Sequence, residues 1–231
     1  MDDLARFARA ALAVAGKDLR VELRAKEIVY SMIFFAALVV LLFGFAFTRE
    51  GLSDLTAVGG VIWIAVALTG TLGLNRAMDR EREGGTMRAL LLAPVDRTAV
   101  YVGKLIGITC FMLLAEAVAV PLTALLFGSP ILQHFLPLAA LLVLGTFGYA
   151  AVGSLFAAML ARARGRDVLL GLLLYPVVMP ILLMGVRGTE ALLARPAELA
   201  DAWLFAKFIA AFDAVFFVAA LWVYEPLVAS D

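Results

Sequence analysis

Twenty consecutive residues without a charge, Ile28–Phe47 (IVYSMIFFAALVVLLFGFAF), constrain this chain more than any other feature. A helix needs roughly 20 such residues to cross about 30 Å of hydrocarbon. Five further apolar stretches follow, at about Leu55–Leu74, Leu105–Phe127, Phe135–Ala161, Val168–Val186 and Ala202–Trp222. Inside a bilayer no water satisfies peptide N–H and C=O groups, so each stretch is expected to be a helix. The fourth is long enough to tilt or to extend past the interface. Trp203 and Trp222 bracket the sixth, as interfacial aromatics do. Soluble domains are roughly 45–50% apolar and about 25% charged. At 64% hydrophobic, 16% charged and a mean hydropathy of +1.01, this chain has too little polar surface to face water all round. The expected fold is an all-α integral membrane protein, a single transmembrane domain over residues 1–231 with six spanning helices.

Orientation follows from the basic residues. Six precede the first span (Arg6, Arg9, Lys17, Arg20, Arg24, Lys26), and six lie between spans two and three (Arg76, Arg80, Arg82, Arg88, Arg97, Lys104). Arg162, Arg164 and Arg166 lie between spans four and five, so 15 of the 19 basic residues share one side. The positive-inside rule places that side, and both termini, in the cytoplasm. The expected location is a bacterial inner membrane. Net charge is zero, which offers no electrostatic reason to bind nucleic acid. A single cysteine, Cys110, excludes an intrachain disulfide, and no paired-cysteine metal signature or CxxCH is present. The first 27 residues are mixed and charged, and the apolar run after them is too long for a cleavable signal.

Within residues 4–27, Leu4, Phe7, Ala11, Leu12, Ala15, Leu19 and Leu23 recur at helical spacing between charges. Such a helix can lie in the membrane interface with its basic side toward anionic head groups. It serves either as a positive topology anchor or as an elbow that frames a docking surface.

The longest loop on the basic side, Asn75–Lys104, is punctuated. Asp79–Glu83 (DRERE) is a solvated charge run expected to prolong the second helix beyond the membrane. Gly84-Gly85 breaks it, Thr86 is placed to N-cap a short helix over Met87–Leu92, and Pro94 stops that helix. Asp96 is placed to cap the helix entering span three. An exposed triplet Leu90-Leu91-Leu92 is expected either to lie on lipid or to insert into a partner protein. A short helix seated in a partner's groove can pass rigid-body motion to its flanking helices. The candidate docking residues are Thr86, Met87, Leu90, Leu91, Leu92, Pro94 and Arg97.

The short helix between spans two and three resembles the coupling helix of ABC-2-type permeases. More narrowly, KDLRVELRAKE (17–27), GLNRAMDRERE (73–83) and LLLAPVDRTAVYVGKL (90–105) resemble the heme exporter protein B (CcmB) family. That family supplies the membrane subunit of the cytochrome c maturation ABC complex. The resemblance implies a homodimer working with two copies of a separate ATPase, and further membrane partners that handle heme and its periplasmic chaperone. It implies heme as possible cargo, with ATP use tied to release of the heme-loaded chaperone.

The residues themselves carry no nucleotide site. Gly103-Lys104 is followed by Leu105 and lacks the upstream glycine of GxxxxGK[ST], so ATP is expected to be hydrolysed on a partner chain and this chain is not expected to be an enzyme. Glu116 and Asp213 lie mid-span, where an acidic residue costs about 2.5–3.5 kcal/mol on insertion scales. With Lys207 they mark a candidate polar path or proton relay; the alternative is interhelix pairing, or for Lys207 snorkelling. Phe205, Phe208, Phe212, Phe216 and Phe217 beside Lys207 would offer apolar walls and a basic group to a porphyrin. His134, the one histidine, is either a heme ligand or simply a polar group at the interface. Pro121, Pro176 and Pro180 are expected to kink spans three and five. Gly145, Gly148 and Gly153 in GTFGYAAVGS offer close helix approach. Arg187–Asp201, divided by Pro196, is expected to form re-entrant or surface helices, or else an ordinary capped loop. Two classes of function follow: an ABC permease subunit, for heme or alternatively for a lipid-linked glycan or drug, and a proton-coupled transporter using Glu116 and Asp213.

Overall fold

The computed structural model describes residues 2–49, 52–53, 55–83, 97–161 and 163–229. Helix α1 spans Asp2–Ala25 and α2 Glu27–Ala46; a two-residue antiparallel ladder pairs Thr48–Arg49 with Leu52–Ser53. Then come α3 (Ala57–Glu83), α4 (Arg97–Phe127), a 3₁₀ turn at Pro130–His134, α5 (Phe135–Met159), α6 (Arg166–Leu193) and α7 (Leu199–Ala229). Helices α2 to α7 are each long and apolar enough to cross a membrane, and they fall on the six expected spans. The fold is all-α.

The corner between α1 and α2 is made by Lys26, at φ 58°. A left-handed backbone at a residue bearing a side chain costs roughly 1–2 kcal/mol, so the corner needs support. Glu22 supplies it: its Oε1 accepts the Val29 N–H at 2.9 Å, one of the donors that the first turn of α2 leaves unpaired. A carboxylate from the preceding helix thereby does the work of an N-cap.

Helix α3 continues through the DRERE run to Glu83, as expected. Its 27 residues are roughly 40 Å long at 1.5 Å each, about 10 Å more than the hydrocarbon core. Residues 84–96, with Thr86, Met87, Leu90, Leu91, Leu92, Pro94 and the capping Asp96, lie outside the described residues; Arg97 is the first residue of α4. Helices α4 and α6 run on through Pro121, Pro176 and Pro180 without ending. Each proline removes an N–H, so the carbonyls of Ala117, Leu172 and Pro176 lose their ladder partner.

One expectation is corrected. Arg187–Asp201 does not fold as re-entrant or surface helices. Helix α6 extends to Leu193 and α7 starts at Leu199, leaving a short bend around Pro196. Gly188, Thr189, Ala191 and Leu192 are buried, so this segment's small and apolar positions face the bundle. The Glu198 N–H reaches back to the Ala191 carbonyl at 2.9 Å and closes the bend.

Helix α5 is central, packing against α3, α4, α6 and α7; α2 covers α3 and α4, and α1 lies along α4. Lipid tails are as apolar as leucine, so these contacts are held by van der Waals fit and hydrogen bonds. The fit is close at Trp63 of α3. Its buried indole occupies the space a Cβ would need at both Gly145 of α5 and Gly185 of α6, and its Nε1–H donates to Thr189 Oγ1 at 3.0 Å. Gly145→Val should drive a side chain into the ring and destabilise the bundle by about 1–3 kcal/mol or more. Gly60→Ala, with open space around its Cβ, should leave stability unchanged. Thermal melting of the two purified variants in one detergent checks this.

Candidate functional site

Polar groups inside the bundle converge on one short stretch of α5, Gly145–Tyr149. At Thr146 the hydroxyl donates to Glu116 Oε1 of α4 at 2.5 Å, while Glu116 Oε2 is buried without a partner. At Gly148 the carboxyl of Asp213, from α7, presses into the space left by the missing Cβ, and Ile181 closes the same notch. Both Asp213 oxygens are buried without hydrogen-bond partners. Phe147 meets Phe217 at 5.6 Å between ring centroids. Tyr149 donates to the Ala67 carbonyl at 2.7 Å, and its oxygen lies 2.7 Å from Thr71 Oγ1, which is 3.1 Å from the Tyr175 hydroxyl. One arrangement satisfies all three hydroxyls, with Tyr175 donating to Thr71, Thr71 to Tyr149, and Tyr149 to Ala67.

The structure therefore brings Glu116 and Asp213 to the same turn of α5, but not to each other. Residues 146 and 148 point about 200° apart around a helix, so the two carboxyls reach α5 from opposite sides. Lys207 is exposed and stands apart from both. The span-six phenylalanines are divided as well. Phe212 stacks on Phe216 at 4.2 Å, Phe217 turns inward to Phe147, and Phe208 is 56% exposed. Pro180, Ile181, Met184, Phe208, Ile209 and Phe212 line an open apolar groove of about 230 Å³ between α6 and α7. Lys207 precedes Phe208, Ile209 and Phe212 by 100° or more of helix rotation and does not line it. His134 ends the 3₁₀ turn, half-buried.

A second polar station lies at the basic end of the bundle. Glu22, 2% exposed, pairs its Oε2 with Arg80 of α3 at 2.5 Å. Asp79, next to Arg80, pairs with the buried Arg166 at the start of α6. Arg76, one turn earlier on α3, lies 3.5 Å from Glu27 of α2. Sequence reasoning did not single out these pairs. A signal existed for Glu22, which falls within about 40° of Ala11 and Ala15 around α1 and so shares their packed face. Nothing in the sequence marked Trp63, Thr71 or Tyr175.

Six apolar helices, carboxyls buried at mid-bundle and a charged, ion-paired end define a multi-pass membrane permease. The sequence comparisons narrow the class: residues 9–224 match the CcmB protein family, and the chain belongs to that family. Heme exporter protein B of Pseudomonas aeruginosa is 30% identical over 169 residues, covering 73% of this chain and 74% of that protein. Its namesake in Rhodobacter capsulatus is 29% identical over 184 residues, covering 78% and 84%. That of Paracoccus denitrificans is 28% identical over 195 residues, covering 84% and 87%.

An ionisable group inside a membrane that lacks a full set of partners is a functional candidate by default. Glu116→Gln and Asp213→Asn keep the shape of each side chain and remove its proton chemistry. Both variants should reach the membrane at wild-type levels, with activity reduced to about a tenth or less. Quantitative immunoblotting beside an activity measurement checks this, and full activity in both removes the carboxyls from the site.

Proposed function

We propose that this chain is the membrane subunit of an ABC transporter acting in cytochrome c biogenesis, exporting heme or driving release of a heme-loaded periplasmic chaperone. The observation that carries the reading is the family match over residues 9–224, joined to relatives named heme exporter protein B. The basic end faces the cytoplasm of a bacterial inner membrane, both termini included. There a separate ATPase docks on the segment between α3 and α4, with Leu90, Leu91 and Leu92 as its apolar core and Thr86, Met87, Pro94 and Arg97 around them. The geometry supports this because α3 overhangs the membrane and α4 begins at Arg97, so two long helices bracket the docking segment. A second copy of the chain and heme-handling membrane partners complete the complex.

Replacing Leu90 and Leu91 with Asp should abolish ATPase co-purification without changing membrane insertion; ATPase retained by that double variant sinks the docking reading. Deletion of the chain should remove every covalently bound c-type cytochrome while b-type cytochromes persist, as read by heme staining and difference spectra. Normal c-type staining would redirect the proposal to a lipid-linked glycan or drug as cargo. A second reading, proton-coupled transport, draws on the placement of Glu116 and Asp213 against one turn of α5. It predicts transport that survives loss of the ATPase.

A further inference from the structure

We infer that the ion pairs Glu22–Arg80 and Asp79–Arg166 form a mechanical joint that makes α1, α3 and α6 move together at the cytoplasmic end. The transmitting part of the inference rests on the ATPase-docking reading; the joint itself does not.

Among the other pairs of the described residues, Lys17–Asp18, Arg166–Asp167 and Arg187–Glu190 connect residues one to three apart on one helix, each with a partner open to solvent, which screens them. Glu22–Arg80 and Asp79–Arg166 connect different helices, across sequence separations of 58 and 87 residues. In each, one partner is buried: Glu22 is 2% exposed and Arg166 6%. A buried charge left alone is costly, so neither helix can leave its partner without exposing that cost. Both Glu22 oxygens are engaged, one by Arg80 and the other by the Val29 N–H, so one carboxylate ties α1, α2 and α3.

The position of the pairs gives them their purpose. Asp79 and Arg80 are adjacent and point about 100° apart, so the overhanging end of α3 is gripped from two sides. They lie within the last five residues of α3, immediately before the segment proposed to receive the ATPase. A push on α3 delivered there meets the joint before it meets the membrane. Arg76 and Glu27, exposed and 3.5 Å apart, add a weaker tie to α2 along the Arg80 face. Asp79, Arg80, Glu22 and Arg166 are thus positioning residues.

The test uses the full chain with Cys110→Ala and nitroxide labels at two exposed positions, Leu12→Cys on α1 and Val168→Cys on α6. Pulsed electron spin resonance on the reconstituted chain alone should give a narrow distance distribution. Arg80→Glu and Asp79→Arg should each broaden it; Arg80→Lys, which keeps the charge and leaves Glu22 on the Val29 N–H, should keep it narrow, and the swap Asp79→Arg with Arg166→Asp should narrow it again. An unchanged distribution in both Arg80→Glu and Asp79→Arg overturns the joint, as does broadening by Arg80→Lys or broadening that the swap does not reverse while melting stays at the wild-type value. In the complex, Arg80→Glu and Asp79→Arg should each retain the ATPase and its hydrolysis of ATP but lose c-type cytochrome formation, which Arg80→Lys should keep and the swap should restore. Loss of the ATPase from Arg80→Glu and Asp79→Arg, or cytochrome formation undiminished in them, overturns the transmission. Failure of the docking reading shows separately, as absence of the ATPase from the wild-type complex, and takes the transmission with it.

Discussion

The bundle depends on surfaces that approach more closely than side chains ordinarily allow, around residues 145–149 of α5. Gly145 admits the Trp63 indole and Gly148 admits the Asp213 carboxyl, while Thr146 and Tyr149 carry the hydroxyls that meet α4 and α3. Within hydrocarbon there is no hydrophobic force to press helices together and no water to satisfy stray polar groups. Shape and internal hydrogen bonds must do both. Thr71 and Tyr175 extend the network to α6, and Tyr101 adds α4 through its 2.9 Å bond to the Ala151 carbonyl. Helices α3, α4 and α6 are therefore tied into this region by hydrogen bonds, and α7 is held by fit, through Asp213 at Gly148 and Phe217 on Phe147.

The two polar stations are built on different chemistry. At mid-bundle, the Thr71, Thr146 and Tyr149 hydroxyls and the Trp63 indole make hydrogen bonds, while the two carboxyls retain unmatched oxygens. At the basic end, full charges pair across helices, where nearby water lessens the cost of desolvating them. Helix α3 runs through both. It places Trp63 and Thr71 in the first and Asp79 and Arg80 in the second, so a displacement of its charged end reaches the hydroxyl network along one continuous rod.

The six spans were legible because stretches of about twenty residues with at most two charges are long and apolar enough to cross a bilayer, and the chain supplies six of them. The extension of α3 through DRERE was legible too, since no breaker precedes Gly84. The bend around Pro196 was not. A short amphipathic stretch looks the same whether its apolar side meets lipid or a neighbouring helix, and burial of Thr189 and Leu192 settles it for the helix. Glu116 and Asp213 stood out as charges in apolar runs, but their separation around α5 depends on which α5 residue each one meets. Lys207 stood out for the same reason, yet it lies on the exposed side of α7. The burial and pairing of Glu22 and Arg166 were not legible among the many charges at the basic end, because only the fold distinguishes a buried partner from a solvated one.

Placing Glu22 in the first helix and its partner in the third has a consequence for how the molecule is made. Helix α1 leaves the ribosome before the surfaces that hold it. Its small residues Ala11 and Val14 close on Gly103 of α4. Gly103 emerges roughly 80 residues after α1 ends, several seconds at a synthesis rate of about 5–20 residues per second. Until Arg80 of α3 emerges to meet Glu22, the Lys26 corner has only the Val29 cap to hold it. Docking of α1 therefore waits for α3 and α4, and can be complete while α5, α6 and α7 are still to be made.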